Sequence, residues 1–395
     1  MSSENTTPYA GLRVVEVAFD PAGEMAGLQL AHMGAQVTKV EPPGGAPSRH
    51  RGPYAGDRQD PEASLPFWFY NSSKTGAVIS LGTADGAAAL GALLADADVL
   101  VVSGDRRDLR QAGIDPHALG SAHAELVVLS ITPFGLTGPL AEYLGSDLTL
   151  LAASGLAIMS GYDDHSIPPI RPGGDQAYHT AASFAHIAVL LALIERDQTG
   201  TGCVIDVSVQ EACGVTVELA NPFWFYPRTL VRRQTCRHAQ PVPTQPALFA
   251  CADGRYVYFA LILSDQKPWR VLVEWLDEHD LATDLTDAAY DDLDHRQANF
   301  AHIQDLVECF FLLHDSTYVF HEGQRRGLPI GVLNAPEDLF DDEHLQARDF
   351  FVPVEHPGHG TVLHPGAAFR LSSFGHAPVT AAPALADGGV ATAGG

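Results

Sequence analysis

The sequence has few cysteines, and their arrangement excludes several classes of protein. The five cysteines are an odd number, and no two of them form a C-x-x-C pair. A disulfide framework or a zinc or redox motif of that kind is therefore not predicted, and reduced thiols in the cytoplasm are expected. The metalloprotease pattern H-E-x-x-H is also missing among the 18 histidines, so we expect no metal site.

Basic residues are scarce as well. Lysine and arginine total 23 against 48 aspartates and glutamates, a formal net charge of -25. This charge repels nucleic acids and anionic membranes, so neither is expected as a partner, and a phosphate-bearing ligand would need a local basic pocket. No apolar run approaches the ~18 residues of a membrane-spanning helix. Residues 1–10 are polar and lack the features of a signal peptide, so we expect a cytoplasmic protein.

Short apolar runs alternate with helical segments in the first half of the chain. Strands are predicted at residues 12–17, 36–40, 78–81, 99–102, 126–130 and 204–209, and helices at 22–33, 84–94 and 181–195. This alternation predicts the α/β class, with a parallel sheet covered by helices on both faces. Ligands of such sheets bind beyond the carboxyl ends of the strands.

A chain of 395 residues exceeds one usual hydrophobic core, so two domains are expected. We predict a large nucleotide-fold domain at 1–215, a linker rich in Pro, Arg and aromatic residues at 216–245, a small α+β domain at 246–335, and a return linker with a flexible C-terminal tail at 336–395. Two β-type runs within 249–263, around Asp253-Gly254, predict a hairpin in the small domain. Helical segments follow at 269–279 and 300–311.

Several stretches with a recognisable pattern follow one another along the chain. They are GLRVVE (11–16), GAQVTKVEPPGG (34–45), NSSK (71–74), FGLTGP (134–139), ERDQTGTG (195–202), DGRYV (253–257) and GLPIGVLN (327–334). In this order and spacing they resemble family III CoA-transferases, which include formyl-CoA transferase, carnitine CoA-transferase and α-methylacyl-CoA racemase. The resemblance implies a Rossmann-like large domain, a smaller domain and an interlocked homodimer. It also implies an acyl-CoA thioester or related carboxylate as substrate, and no tightly bound cofactor.

Transferases of this family use an aspartate nucleophile, and its position holds another residue here. The family pattern P-x-x-x-G, followed five residues later by Asp, matches residues 169–173 and puts Tyr178 at the nucleophile position. Counting back from the T-G-T-G segment gives the same position. Either the loop is rearranged and Asp175 is the nucleophile, or the nucleophile is absent and Tyr178 fills its place. A phenol with a pKa of about 10 is a poor nucleophile at neutral pH; His179 is a candidate base for it, or simply a residue of the helix start.

The racemase branch of the family carries a histidine within a G-H-D segment. Here the segment reads Gly145-Ser146-Asp147, so Ser146 stands at the histidine position. A serine hydroxyl cannot shuttle a proton near neutral pH without help. Racemisation at an α-carbon is therefore disfavoured.

The resemblance also implies where CoA would bind. The implied positions are Pro21, Ala22, Pro42, Lys74, Ile79, Ser103, Gly104, Arg110 and Asp147. Three family segments are altered there: A-G-P has become Ala22-Gly23-Glu24, K-R has become Lys74-Thr75, and E-N-F has become Val102-Ser103-Gly104. An added carboxylate and a lost arginine weaken an anion site.

Arginines elsewhere are further candidates for binding an anion. A basic turn with Arg106, Arg107 and Arg110 lies about where the family holds a phosphate, although a solvated turn explains it equally well. Arg171 and Arg228 are candidates for holding a free acid.

Three hypotheses follow from the sequence. The chain is a CoA-transferase-like enzyme with an atypical active site, a repurposed family member with other acyl chemistry, or a non-catalytic subunit that pairs with an active, related chain. Binding of CoA separates the first from the second, and copurification with a related chain favours the third.

Overall fold

The chain forms two compact units. A computed structural model describes residues 7–56, 58–217, 220–260, 265–375 and 377–385. The first unit holds the described residues of Met1–Ala157, Arg171–Glu218 and Glu343–Gly395, and the second those of Ile158–Ile170 and Leu219–Asp342. The first is built on a parallel sheet and the second on a small antiparallel sheet with helices. The predicted α/β class with a smaller α+β part is confirmed.

The first unit contains six parallel strands in the order β3-β2-β1-β4-β5-β6. Their bounds are β1 Arg13–Ala18, β2 Gln36–Glu41, β3 Thr75–Val78, β4 Val99–Ser103, β5 Val127–Thr132 and β6 Val204–Ser208. The central strands β4 and β5 are buried along their whole length, which explains their runs of Val, Leu and Ile. β3 begins three residues before the predicted segment, because its ladder with β2 pairs the polar Thr75 with Thr38.

Helices cover this sheet. They are α1 Pro21–His32, α2 Leu65–Asn71, α3 Ala84–Leu94, α4 Arg106–Gln111, α5 Pro116–Ala122, α6 Asp147–Ala153, α7 Gln176–Thr199 and α8 Val209–Val215, with 3-10 turns at Pro47–His50 and Ala157–Met159. α3 has the bounds that the sequence predicts, with Thr83 as its N-cap.

The longest helix, α7, begins five residues before the predicted start at residue 181. Its buried face is made largely of alanines, among them Ala177, Ala181 and Ala185, which let the helix approach α1 and β5 closely. α7 is long and apolar enough to cross a membrane. Core helices of soluble proteins meet the same criteria of length and composition, so this is weak evidence for a membrane span. The early start places the predicted nucleophile segment on a helix, so Tyr178 and His179 point in different directions.

The second unit packs helices around a three-stranded sheet of order β11-β10-β9. Its elements are α9 Ala220–Phe225, β7 Arg232–Gln234, β8 Arg237–Gln240, β9 Leu248–Ala250, β10 Tyr256–Phe259, α10 Gln266–Asp277, α11 Leu293–Ala298, α12 Phe300–Leu312, α13 Ser316–Arg325 and β11 Ile330–Val332, with 3-10 turns at Thr283–Thr286, Ala288–Asp291 and Pro336–Phe340. β9 and β10 form a hairpin at Asp253-Gly254. Residues 261–264 of the predicted second run lie outside the described residues. The segment predicted as a linker contributes the β7–β8 pair to this unit.

The chain then returns to the first unit through α14 Glu343–Ala347, β12 Phe351–His356 and β13 Gly360–Pro365. A flexible tail was predicted beyond them, of which residues 376 and 386–395 lie outside the described residues. The described part of this tail is hydrogen-bonded to the first unit. The Pro383 carbonyl accepts a hydrogen bond from Arg49 at 2.7 Å, and the Leu385 N–H donates to Glu62 at 3.0 Å.

Candidate active site

Four of the positions predicted to hold CoA meet where β1 and β4 end. Pro21 and Ala22 begin α1 after a two-residue connection from β1, Ser103 ends the neighbouring β4, and Gly104 follows it. The Gly23 N–H donates to Ser103 Oγ at 3.1 Å, and a Cβ at residue 23 would lie only 2.3 Å from that oxygen. Glycine is therefore required for this approach.

Two more predicted positions lie at the same edge of the sheet. Pro42 follows β2 and Ile79 follows β3, and the Ile79 N–H donates to the Glu41 carbonyl at 2.8 Å. The carboxyl ends of parallel strands form the usual ligand-binding edge, and these two residues lie at that edge.

Lys74 does not reach this edge. Its ammonium donates to Glu16 at 2.6 Å, to the Glu24 carbonyl at 2.8 Å and to Asn71 at 3.0 Å, which uses all three of its N–H donors. Lys39 lies 3.0 Å from Glu16 and 2.8 Å from Glu24, and all four charged side chains are buried. The added carboxylate at Glu24 is thus neutralised inside the protein, and nothing in these contacts supports Lys74 as a CoA ligand.

Asp147 fixes the start of α7. Its carboxylate accepts from the Ala177 N–H at 2.8 Å and from Arg171 Nε at 2.8 Å. Because Asp147 is buried and both oxygens are engaged, its observed role is to hold the first turn of this helix. The preceding Ser146, at the histidine position of the racemases, forms a capping box with Thr149 at the start of α6.

Asp175 is the residue before α7, and its carboxylate is held by two side chains from distant parts of the sequence. Arg51 donates from its two terminal nitrogens, at 2.7 Å to one oxygen and 3.0 Å to the other. The Tyr70 hydroxyl donates to Asp175 at 3.0 Å and also lies 2.8 Å from His179 Nε2. Arg51, Tyr70, Asp175 and His179 therefore form one connected cluster, which we call the Asp175 cluster.

The electrostatics of the Asp175 cluster favour an ionised aspartate. Burial would raise the pKa of Asp175, but the hydrogen bonds and charge of Arg51, with the Tyr70 hydroxyl, hold it below its usual range. Burial, reinforced by Asp175, raises the pKa of Tyr70. Burial lowers the pKa of His179, so the ring is neutral at pH 7. The cluster at that pH is an ion pair with a neutral phenol and a neutral imidazole.

Tyr178 lies on the buried face of α7, next to a different group of acids. It packs in the core of the first unit, and burial raises its pKa, with further contributions from Asp20, Asp147 and Asp175. Asp20 N-caps α1 by accepting from the Ala22 N–H at 3.0 Å, and burial raises the pKa of Asp20 to about 6. The phenol of Tyr178 is therefore protonated at neutral pH and lies near the carboxyl end of β1.

The predicted basic turn is paired with acids. Arg110 contacts Glu142 at 2.5 Å, Arg106 lies 3.8 Å from the same carboxylate, and Arg107 lies 3.4 Å from Asp105. These are surface pairs, which contribute little to stability. Asp108 lies in the same turn, so three arginines face three acids and the turn keeps no excess of positive charge.

Arg51 and Tyr70 were missed by the sequence analysis. They lie 124 and 105 residues from Asp175, so no local spacing connects them to it. A weak signal did exist, since Tyr70 is the polar end of the aromatic run Phe67–Tyr70 immediately before the NSSK stretch.

The chemistry available here is that of carboxylates, phenols, an imidazole and backbone N–H groups. Among the described residues no group of three or more His, Cys, Asp or Glu is arranged to hold a metal ion. The five cysteines are unpaired, and two of them are buried.

Comparison with known proteins supplies the context for this arrangement. The family model described as CoA-transferase family III matches residues 9–388. The chain is 30% identical over 374 residues to succinyl-CoA:(R)-benzylsuccinate CoA-transferase subunit BbsE of Thauera aromatica, covering 93% of this chain and 88% of that protein. It is 29% identical over 378 residues to the succinyl-CoA–L-malate CoA-transferase alpha subunit of Chloroflexus aurantiacus, covering 94% and 84%. A CAIB/BAIF family protein from Brucella suis has a similar structure, with a TM-score of 0.81, 25% identity and 96% coverage of both chains.

Proposed function

This chain belongs to CoA-transferase family III. From that premise we propose that it takes part in the transfer of CoA from an acyl-CoA thioester to a carboxylic acid in the cytoplasm. We propose further that this chain does not itself supply the covalent nucleophile. One observation carries the proposal: the only acid near the nucleophile position in the sequence, Asp175, is held by Arg51 and Tyr70. The register position itself holds Tyr178.

The transfer needs a carboxylate that can become covalently bound. A carboxylate oxygen attacks the thioester carbonyl and expels CoA thiolate, which leaves a mixed anhydride. The thiolate then attacks the carboxylate's own carbonyl, releasing the donor acid and forming an enzyme–CoA thioester. The acceptor acid reverses these two steps with its own carboxylate, taking the CoA and regenerating the enzyme.

Tyr178 cannot perform this cycle. A phenol has no carbonyl to receive the thiolate, so it could accept an acyl group but could never carry CoA. Burial and three nearby acids raise its pKa, which also keeps the nucleophilic phenolate unpopulated at neutral pH. In that position we propose that Tyr178 shapes the pocket or donates a hydrogen bond to the thioester oxygen.

Asp175 is ionised but poorly suited to attack. Its two oxygens accept three hydrogen bonds in the described part of the chain, two of them from the Arg51 fork. An attack would break charge-assisted bonds, each of which contributes roughly 1.5–3 kcal/mol. The Asp175 cluster is therefore better explained as a structural ion pair at the start of α7.

We propose that the missing carboxylate comes from a second, related chain. The interlocked homodimer implied by the family resemblance would then be an assembly of two different family members. The names of two relatives support this, since one is a subunit BbsE and the other an alpha subunit. Racemase activity is not favoured, because Ser146 is engaged in the α6 capping box.

A second candidate function keeps catalysis within this chain, with Asp175 as the nucleophile. It is favoured by the lowered pKa of Asp175. It is also favoured by the carboxylate oxygen Oδ1, which accepts a hydrogen bond from Arg51 at 3.0 Å, lies 3.9 Å from Arg171 and keeps room for a further acceptor role. The chain alone would then be a complete CoA-transferase.

Intact-mass spectrometry after incubation with succinyl-CoA distinguishes the two candidates. An enzyme–CoA thioester adds the mass of CoA less one water. We expect no such adduct on the wild-type chain and a new adduct on Tyr178→Asp, which restores a carboxylate at the family position. Asp115→Asn, at the N-cap of α5, is the matched control for removing an aspartate at a helix start. A wild-type adduct that Asp175→Asn abolishes and Asp115→Asn retains would overturn the proposal in favour of the second candidate.

A further inference from the structure

The second unit carries four arginines within ten residues, in a protein with a net charge of -25. Arg232 and Arg233 lie on β7, Arg237 begins β8, and Arg228 precedes them with a positive φ of 56°. All four line one cavity of about 820 Å³, formed entirely by residues of the second unit. We call it the arginine pocket.

The two inner arginines of the arginine pocket are only partly satisfied. Arg233 is 7% exposed and donates to the backbone carbonyls of Asp164 and Ile167. The Arg237 side chain is also 7% exposed and contacts the Thr244 carbonyl and the Asp163 carboxylate. The Nε of each is buried and has no hydrogen-bond partner among the described residues. Both Nε atoms are closed to solvent, so they do not face the cavity; what these two side chains offer a ligand is the positive charge of the guanidinium groups that line it.

The two outer arginines leave the pocket with an excess of positive charge. Arg228 and Arg232 are exposed, and in the described part of the chain neither makes an ion pair; Arg228 lies over the Trp224 ring at 5.5 Å. Asp163 is the one carboxylate that lines the cavity, and His165 Nε2 lies 3.0 Å from the Arg233 carbonyl. Asp164, next to Asp163, also interacts electrostatically with Arg233, so four guanidinium groups against two carboxylates leave about two unbalanced positive charges.

We propose that the arginine pocket binds a small organic molecule that carries at least two anionic oxygen groups. Guanidinium forks match carboxylate and phosphate groups in bidentate geometry, and several of them around one cavity suit a ligand with more than one such group. A volume of about 820 Å³ is typical of small-molecule pockets and leaves room for a ligand larger than a bare inorganic ion. This ligand is distinct from the acyl-CoA proposed for the first unit, and the inference does not depend on that function.

Calorimetric titration of the full-length chain tests the arginine pocket. The probes are succinate for a dicarboxylate, pyrophosphate for a phosphate ligand, and succinamide as the neutral analogue of succinate. We expect at least one dianion to bind, with affinity that falls as salt is added, and we expect succinamide not to bind. Whichever dianion binds more tightly identifies the source of the anionic groups.

Variants of the exposed arginines assign the binding to this cavity without disturbing the buried ones. Arg228→Gln and Arg232→Gln should each weaken binding of the dianion by about tenfold or more. Arg270→Gln, an exposed arginine of α10 that does not line the cavity, makes the same charge change in the same unit and should bind as the wild type does. The proposal is overturned if neither dianion binds, if succinamide binds equally well, or if all three variants lose affinity to the same extent.

Discussion

The ion pair between Arg51 and Asp175 should stabilise the first unit measurably, and a double-mutant cycle can test this. Arg51→Gln removes two charge-assisted hydrogen bonds, at 2.7 and 3.0 Å, and leaves Asp175 with the Tyr70 hydroxyl and with Arg171, whose guanidinium lies 3.9 Å away. Hydrogen bonds to charged groups contribute roughly 1.5–3 kcal/mol, and the lower end applies because the Arg51 side chain is 46% exposed and solvent replaces part of the interaction. We expect Arg51→Gln to lower the free energy of unfolding at pH 7 by about 1.5 kcal/mol.

The cycle is completed with Asp175→Asn and with both changes together. The double variant should lose little more than either single variant, which corresponds to a coupling energy of about 1 kcal/mol. Urea-induced unfolding followed by circular dichroism measures all four proteins. Losses that add within about 0.5 kcal/mol would refute the ion pair as a structural interaction.

The pH dependence of the same cycle follows from the lowered pKa of Asp175. A carboxyl group with a pKa below its unfolded value of about 3.9 stabilises the fold above that pH, and this contribution is lost as the pH falls through the folded value. The difference between wild type and Arg51→Gln should therefore be largest at neutral pH and should shrink below about pH 4.

Two further predictions concern stability. Lys39→Met leaves two buried glutamates without one of their counter-charges, so it should lower the free energy of unfolding in urea by about 3–5 kcal/mol. Lys267→Met, at an exposed position, should change the free energy of unfolding little. Equal effects of the two substitutions would contradict the buried network. In the β12–β13 hairpin, His356 and His364 face each other with ring nitrogens 2.8 Å apart, and burial together with the neighbouring ring lowers the pKa of His356 to about 4. Because His356 binds a proton more readily in the unfolded chain below about pH 6.5, the free energy of unfolding should fall as the pH drops from there toward 4. His364→Gln should reduce this dependence of the free energy of unfolding on pH. An unchanged pH dependence in that variant would count against the pair.

Much of the fold could be predicted because it is encoded locally. α3 is preceded by a threonine cap and rich in alanine, and its bounds agree with the prediction. The buried strands β4 and β5 appear as continuous apolar runs for the same reason. β3 was less predictable, because its first residues are polar and are ordered by pairing with β2 instead of by their own composition.

The candidate site was predictable only in part. Its position at the carboxyl edge of the sheet follows from the strand order, and there the Gly23 N–H of α1 contacts Ser103 at the end of β4. The partners of charged residues do not follow from their spacing in the sequence. Lys74 is paired with Glu16, and Asp175 is paired with an arginine that lies 124 residues away in the sequence. A single sequence identifies which side chains carry charge, but the folded chain decides which of those charges are already paired.

Peptide mapping of the CoA adduct on Tyr178→Asp tests the central claim most directly. After incubation with succinyl-CoA, proteolysis and mass spectrometry locate the modified residue within the segment 169–199. If residue 178 holds the nucleophile position of the family, the variant carries CoA at residue 178 and the wild-type chain carries none. An adduct on Asp175, in either protein, would contradict the account.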